Sequence, residues 1–441
     1  MVSSARLFVI GGGGREHALV WHLSRAFPKA SLYCAPGNPG IARLATCLPI
    51  AATDIDALVD AAASLEIDHT LVGPEGPLVA GIVDAFEARG VSILGPRAAA
   101  ARVEGSKVFA KDLMRRHRLP TADAVSFEDP AAALAYVRGH GSRRGLVIKA
   151  DGLAAGKGVT VCDDADAAAA AVQTMMIDGA FGAAGRRVVI EDRLEGPEVS
   201  AFALVDGEAV AMLPAAQDHK RIFDGDRGLN TGGMGAAAPY PLSGDLRQRI
   251  RDIFERVAHA LCAEGSPYRG VLFAGLMLTS TGLQVLEFNC RLGDPEAQAL
   301  LPLLDADMSL PEAFAGLREG ELDDDRMSQP GAAAVAVVLA SRGYPQAPQT
   351  GEPIEGLEAA EADALVFHSG TAERDGRLVS SGGRVLTVVG RCAGIGEARA
   401  RAYRAAGAIQ FAGMQFRSDI GANFVEVRRE AAVASHAGSE D

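Results

Sequence analysis

The most constraining stretch of the chain is Leu146 to Cys162, LVIKADGLAAGKGVTVC. An apolar run carrying Lys149 enters a glycine-rich turn, Gly152 to Gly158, and a second β-prone run, VTVC, leaves it with Lys157 at its mouth. This pattern predicts strand, flexible turn and strand. Glycines at 152, 156 and 158 have no Cβ to hold the backbone away from a phosphate, and the two lysines put positive charge at both ends of the turn. A GxxxxGK[ST] loop is excluded, because Gly152 and Gly156 enclose three residues, Gly158 stands at the hydroxyl position, and the turn runs into a strand. Taken alone, the stretch also reads as a surface hairpin with solvated lysines.

A second segment, VLEFNCRLGDPE (Val285 to Glu296), supplies complementary chemistry. Glu287 and Asn289 are two apart on a β-prone run and share a face, while Leu286 and Phe288 take the other. A carboxylate and an amide oxygen on one face suit a hard cation, and Mg²⁺ is usually held by few protein ligands plus nucleotide phosphates. Arg291 follows directly, and Asp294 before Pro295 predicts a helix start with Asp294 at the N-cap.

With 441 residues the chain has length for roughly two to four units, since single cores stop growing near 250 to 300 residues. A net charge of −13 argues against a general nucleic-acid or anionic-membrane binder, so an anionic substrate needs a local basic pocket. Six scattered cysteines without CxxC pairs predict buried reduced thiols. The longest apolar run, AAAVAVVLA, is too short to span a bilayer, and LFVI before the first glycines is no secretory core; residence in the cytoplasm is expected.

From the amino terminus, LFVI, LYCAPGN, HTLVGPE and VSILGP read as strands. They alternate with helices at REHALVWHLSRAF, Ile55 to Leu65 and Leu78 to Arg89, predicting a parallel sheet covered on both faces. Function in such sheets collects at the carboxyl ends of the strands, where GGGGREH, APGNPG and VGPEGP lie. Glu16 occupies the third glycine position of a dinucleotide fingerprint and the second strand ends without an acid, which makes a nicotinamide dinucleotide a poor fit. What remains is a glycine turn at a helix amino terminus, suited to a monophosphate, with Arg15, Asn38 and Glu75 on the same rim. SKVFAKDLMRRHRL is helical, with Lys107 most simply solvated. VVIEDRLEGPEVSAFALVDGE reads as two strands around a Gly-Pro turn, the first offering Glu191 to Leu194 as an edge for an adenine and Glu198 as a ribose acceptor. Gln217 to Pro239 reads as a long irregular substrate-side loop. After Pro330, AVAVVLA, ALVFHSG and RVLTVVGR precede a helix, GEARARAYRAAG, and a last strand, NFVEVRR.

The blocks GGGGREHAL, APGNPG, VGPEGPLVAG, EGSK, VIKADGLAAGKGV, QDHKR, NTGGMGA, EFNCRLGDPE and GGRVL, in this order over nearly the whole chain, resemble the glycinamide ribonucleotide synthetase family of the ATP-grasp superfamily. One departure is GGGG at Gly11 to Gly14, where that family commonly shows GNGG. The resemblance implies a multidomain α/β and α+β chain: a preATP-grasp parallel-sheet domain over 1–104, an ATP-grasp two-lobed clamp over 105–330 with a mobile lobe near 121–190, and a small α+β domain over 331–430; the terminal residues 431–441 read as a disordered tail. It implies ligation of glycine to 5-phosphoribosylamine in purine biosynthesis, through glycyl phosphate, with ATP and Mg²⁺ or Mn²⁺. Nucleotide contacts are then Lys107, Lys149, Lys157, Gly152, Gly156, Gly158, Glu191, Asp192, Leu194 and Glu198, with Glu287 and Asn289 on the metal. Arg291, Lys157 and Asp218 take catalytic roles, and Gly13, Gly14, Arg15, Glu16, Asn38, Glu75, Asn230 and Asp294 face the substrates. The partners implied are these small molecules, with no nucleic acid or membrane, in a monomer or weak homo-oligomer. A different ATP-grasp carboxylate–amine ligase, or a nucleotide sensor without turnover, would use much of the same scaffold; retention of the lysines and of Glu287 and Asn289 disfavours the sensor.

Overall fold

The computed structural model describes residues 5–140, 145–154 and 157–424. Contacts divide the chain into two compact units, one formed by the described parts of Met1–Gly73, Met212–Ser243 and Leu292–Asp441, the other by those of Pro74–Ala211 and Gly244–Arg291.

In chain order the elements are β1 (Arg6–Gly11), α1 (Gly14–Ala26), β2 (Ser31–Pro36), β3 (Thr46–Cys47), α2 (Ile55–Ser64) and β4 (His69–Val72) in the first unit. The second unit follows with α3 (Glu75–Val79), α4 (Ile82–Ala88), α5 (Ala98–Gly105), α6 (Lys107–Arg116), β5 (Ala124–Phe127), α7 (Pro130–Gly139), β6 (Leu146–Ala150), β7 (Val159–Cys162), α8 (Ala165–Val172), β8 (Val188–Asp192), β9 (Glu198–Asp206) and β10 (Ala209–Met212). Next come β11 (Gln217–Asp218), β12 (Arg221–Phe223), β13 (Arg227–Asn230) and β14 (Gly235–Ala238) of the first unit, then α9 (Gly244–Ala263), β15 (Arg269–Thr279) and β16 (Gly282–Asn289) of the second. The first unit closes the described chain with α10 (Glu296–Leu300), α11 (Leu310–Glu319), α12 (Asp324–Ser328), β17 (Ala333–Ala340), α13 (Leu357–Glu361), β18 (Leu365–His368), β19 (Thr371–Arg374), β20 (Arg377–Ser380), β21 (Arg384–Cys392) and α14 (Ile395–Ala408).

In the first unit, β1 carries the buried run Leu7 to Ile10 and is flanked in parallel by β2 and β4, giving the order β3-β2-β1-β4. Ala18, Leu19, His22 and Leu23 of α1 are all buried, as their helical spacing predicts. A second sheet, β11-β14-β17-β21-β18, is antiparallel and is covered by α14 through Ala398, Ala402, Ala405 and Ala406. Two of its strands, β11 and β14, come from before residue 331.

The second unit contains two antiparallel sheets, β5-β8-β6-β7 and β10-β9-β15-β16. Ala133 and Val137 of α7 and Ala168 and Val172 of α8 pack on Ile148 and Ile190 of the first of these sheets. Ala133 and Ala168 thus lie on the buried faces of helices that pack on this sheet. Local chemistry starts the helices: Asp129 accepts from Ala131 and Ala132 ahead of Pro130, Asp164 accepts from Ala167, and Ser106 accepts from Phe109 to begin α6 at Lys107.

Several sequence expectations are corrected. VSILGP forms no strand element, only a bridge at Leu94. Leu78 to Arg89 is two helices, α3 and α4, parted at Gly81, whose φ of 91° lies in the left-handed region. Gln217 to Pro239 is not irregular: β12 and β13 form a hairpin, and β14 buries its GAAA in the sheet, an apolar run too short to show a period. The two runs around Gly196–Pro197 are strands as expected, and they belong to different sheets, β8 and β9. Asn423 and Phe424 of the expected last strand are helical, and the rest of it lies outside the described residues, as do the 431–441 tail and Gly156. All six cysteines are free, with Cys34, Cys162 and Cys290 buried and the others half-buried. Among the described residues no helix is long and apolar enough to cross a membrane.

Candidate functional site

The two sheets of the second unit meet at a buried cluster of charge. Lys149, on β6, lies 2.9 Å from Glu191 Oε1 and donates to the carbonyl of Leu286 at 3.0 Å. That carbonyl sits at a register shift between β15 and β16, where Glu287 pairs with Gly275 but Val285 pairs with Leu276, so Leu286 is the unpaired bulge residue. The bulge therefore ties Lys149 to the residue next to Glu287. Lys111, on α6, lies 2.9 Å from Glu191 Oε2 and donates to Thr121 Oγ1 at 2.7 Å. Burial pulls the Lys111 ammonium down to about 8, partly offset by the charge of Glu191 and reinforced by Lys149. With all three groups ionised, the cluster carries more positive than negative charge, an arrangement suited to an incoming anion.

Glu287 is half-buried on β16, and Asn289, two residues on, is buried. Asn289 Oδ1 accepts a long 3.4 Å contact from Arg291, and among the described residues its Nδ2 is a buried donor with no partner. An orphaned donor beside an under-used oxygen and a carboxylate fits a site that takes a divalent cation together with anionic oxygens. Arg291 is held by two carboxylates: Nε donates to Glu75 at 3.1 Å and Nη2 lies 2.9 Å from Glu104 Oε1. Glu104 also accepts from the Cys290 amide at 2.7 Å and its thiol at 3.1 Å. Burial raises the Glu104 carboxyl, against the lowering effect of Arg291, and pushes the Cys290 thiol well up.

Beside this cluster is a cavity of about 260 Å³ lined by Thr121, Ala122, Asp123, Asp192, Arg193, Leu194 and Gln284. The expected Glu191-to-Leu194 edge is only partly an edge: β8 is an interior strand between β5 and β6, Glu191 is committed to the lysines, and only the residues from Asp192 onward reach the cavity. Asp192 Oδ1 contacts His140 Nε2 at 2.9 Å. Glu198 starts β9 opposite Met277 and is half-buried. Lys107 is the half-buried first residue of α6. At the glycine turn, Asp151 accepts from Ser106 Oγ at 2.9 Å, Val108 N at 3.0 Å and Arg187 Nε at 2.6 Å, anchoring the hairpin to the start of α6. Gly152 is half-buried, Gly158 is buried and accepts from the Ala150 amide, and Lys157 is exposed with its amide on Ala154 O.

Other candidates lie in the first unit. Glu16 takes the amide of Gly13 at 2.6 Å and pairs with Arg15 at 2.7 Å, while Arg15 also donates to Leu292 O. The amide of Gly13 is thus met by the chain's own carboxylate; Arg15 and Glu16 are buried, not solvated, and Gly14 begins α1. Asn38 donates to the carbonyls of Gly12 and His368 and accepts from Ile41, which makes it a backbone tie. At Gly12, the position that departs from GNGG, a Cβ would lie 2.6 Å from Gly37 O, so this backbone leaves no room for a side chain. Asp294 is not an N-cap: Pro295 takes that position, and the Asp294 carboxylate pairs with Arg384 at 2.9 Å and accepts from Gln298 at 2.7 Å. The guanidinium is the stronger partner for a carboxylate. Arg384 also donates to Gly232 O, beside the NTGGMGA turn. Asp218 sits on β11 opposite Ala236, and Asn230 on β13 opposite Arg221.

Sequence reasoning missed Lys111, Glu104, Thr121, Gln284 and Arg384. Lys111 looks like an ordinary helix surface residue, and its burial in the fold sets it apart; Glu104 lies in EGSK, one of the blocks that carries the resemblance. Arg384 lies in GGRVL, one of the blocks that carries the resemblance, and that was its one visible signal.

Models of three domains match the chain: Phosphoribosylglycinamide synthetase, N domain, over residues 5–104; its ATP-grasp (A) domain over 105–297; and its C domain over 334–423. The chain is 44% identical over 425 residues to a phosphoribosylamine–glycine ligase of Halalkalibacterium halodurans, covering 96% of this chain and 98% of that one. The crystal structure of phosphoribosylamine–glycine ligase from Thermotoga maritima is similar with a TM-score of 0.81 at 34% identity, covering 94% of this chain and 100% of the other. The biotin carboxylase domain of Hydrogenobacter thermophilus 2-oxoglutarate carboxylase, solved with MgADP and bicarbonate, shares the fold with a TM-score of 0.70 at 15% identity, covering 93% and 91% of the two chains.

Proposed function

This chain belongs to the phosphoribosylglycinamide synthetase family, and from that premise we propose that it joins glycine to 5-phosphoribosylamine at the expense of ATP, giving glycinamide ribonucleotide, ADP and phosphate in cytoplasmic purine biosynthesis. The observation that carries the reading is the seam of the second unit, where Lys149 reaches the Leu286 carbonyl beside Glu287, next to a cavity open to a base.

A carboxylate is a poor acyl donor, because its charge repels an amine and oxide is no leaving group. Phosphorylation removes both obstacles. A glycine carboxylate oxygen attacks the γ-phosphorus, the bond to ADP breaks, and the amine of phosphoribosylamine then attacks the carbonyl carbon of glycyl phosphate and expels phosphate. Phosphoryl transfer asks a protein mainly for alignment and charge neutralisation. Lys149, Lys157 and Lys107 carry the charge on the phosphate side, and Arg291, oriented by Glu75 and Glu104, clamps an oxyanion. Glu287 and Asn289 are the residues that would hold Mg²⁺ or Mn²⁺, which when bound neutralises the phosphate oxygens. The base occupies the cavity at Thr121 to Asp123 and Asp192 to Leu194, with Glu198 toward the ribose. The Gly13–Gly14 turn, Asp218, Asn230 and Asp294 serve the acceptor side, within a division into 1–104, 105–330 and 331–430.

ADP release tests this directly. It should require both glycine and phosphoribosylamine, each omitted in turn; ADP formation that depends on another acid or amine would replace the substrates.

A further inference from the structure

We propose that Lys111 is a positioning residue for base selection: through Thr121 and Ala122 it fixes one wall of the cavity, so that the site accepts adenine in preference to a purine with a different hydrogen-bonding edge. This rests on the reading that the base of ATP enters that cavity.

Lys111 is 9% exposed, and its ammonium reaches three groups: Thr121 Oγ1 at 2.7 Å, Ala122 O at 3.4 Å and Glu191 Oε2 at 2.9 Å. Thr121 and Ala122 line the cavity, and Glu191 immediately precedes Asp192, which lines its other side. Thr121 Oγ1 passes the contact on, donating to Val285 O at 2.7 Å, while the Val285 amide donates to Pro120 O at 2.8 Å. Val285 adjoins Gln284, a third part of the lining. One buried ammonium therefore holds together three segments of wall that are far apart in sequence.

Packing alone does not account for a lysine here. A buried ammonium carries a desolvation penalty that a methionine of similar length avoids, and replacing buried charge with apolar volume is often neutral or stabilising. Burial has already drawn the Lys111 ammonium down to about 8. The polar contacts to the cavity wall are what a methionine would lack. A wall that offers hydrogen-bonding groups discriminates between base edges only while its position is fixed, since misplaced polar groups are left unpaired with either base.

The test is equilibrium binding of ATP and GTP, without glycine or amine, to the full-length chain. A wrong acceptor assignment leaves this readout intact. Wild type should bind ATP well ahead of GTP. Lys111→Met should weaken ATP binding about tenfold and cut the ATP-over-GTP preference by a similar factor. Thr121→Val should act in the same direction, and the double variant should be no worse than the weaker-binding single one, because both break the Lys111–Thr121 bond through which the wall is fixed. Should Lys111→Met fail to fold, Thr121→Val alone must show the lost preference. A wild type without base preference, a Lys111→Met chain with unchanged preference, or additive effects in the double variant would overturn the proposal.

Discussion

Lys149 Nζ and Glu191 Oε1 lie 2.9 Å apart, with the lysine 6% and the glutamate 3% exposed. Glu191 is also the carboxylate of Lys111, so its removal leaves two ammonium groups buried without their partner. Glu191→Ala should lower unfolding free energy by about 3 to 5 kcal/mol, the usual cost of breaking a buried pair. Urea unfolding measures it. Lys149→Ala should instead show its main effect in catalysis, lowering kcat/KM for ATP by about a hundredfold or more.

Glu287 offers the carboxylate of the two-residue oxygen set on β16. Glu287→Ala should leave little turnover at limiting Mg²⁺, with partial recovery at high Mg²⁺. Titrating the rate against free Mg²⁺ reads the shift, and wild-type turnover at limiting metal would remove Glu287 from the metal site. Lys157→Ala should likewise impair ATP use, and an unchanged KM for ATP together with an unchanged kcat would take that lysine out of the scheme.

Glu104 holds Arg291 from a buried position, whereas Glu361 meets Arg43 at the surface. Glu104→Gln should destabilise by about 3 kcal/mol and also slow turnover, because Arg291 loses the carboxylate that Nη2 meets at 2.9 Å. Glu361→Gln should change stability by less than about 1 kcal/mol and leave turnover alone. Parallel urea curves and rates distinguish the two.

Burial lowers His22, His219 and His368 to about 4 and His17 to about 3, from an ordinary value of 6.5. The unfolded chain therefore binds protons at these sites that the folded chain refuses. Their neutral burial is fully tolerated above pH 6.5, and stability is lost as pH falls from there through about 4, in the direction set by linkage. Urea midpoints should fall across this window. His368→Gln should flatten part of the slope, and a midpoint independent of pH between 6.5 and 4 would contradict the assignment.

Much of the architecture was readable before the structure. LFVI and the apolar face of α1 announce a buried strand and its covering helix, and the Lys149 hairpin is visible from its glycines. The misses have physical causes. GAAA at β14 has no side-chain alternation to betray a strand, and Asp294–Pro295 imitates a helix start because the rival for its carboxylate, Arg384, stands ninety positions away in the chain. Lys111 was invisible for a related reason, since a charged residue on a helix is ordinarily solvated and only distant segments bury it. In the same way, spacing along β16 shows that Glu287 and Asn289 share a face, but not that a bulge hands the Leu286 carbonyl to Lys149.

The central chemical claim is that the γ-phosphoryl group passes to the glycine carboxylate before the amine attacks. Glycine labelled with ¹⁸O in its carboxylate tests this, by mass spectrometry of the phosphate released with ADP during ligation to phosphoribosylamine. Transfer through glycyl phosphate places one labelled oxygen in each phosphate formed. Phosphate that carries only solvent or ATP oxygen, while glycinamide ribonucleotide accumulates, would contradict it.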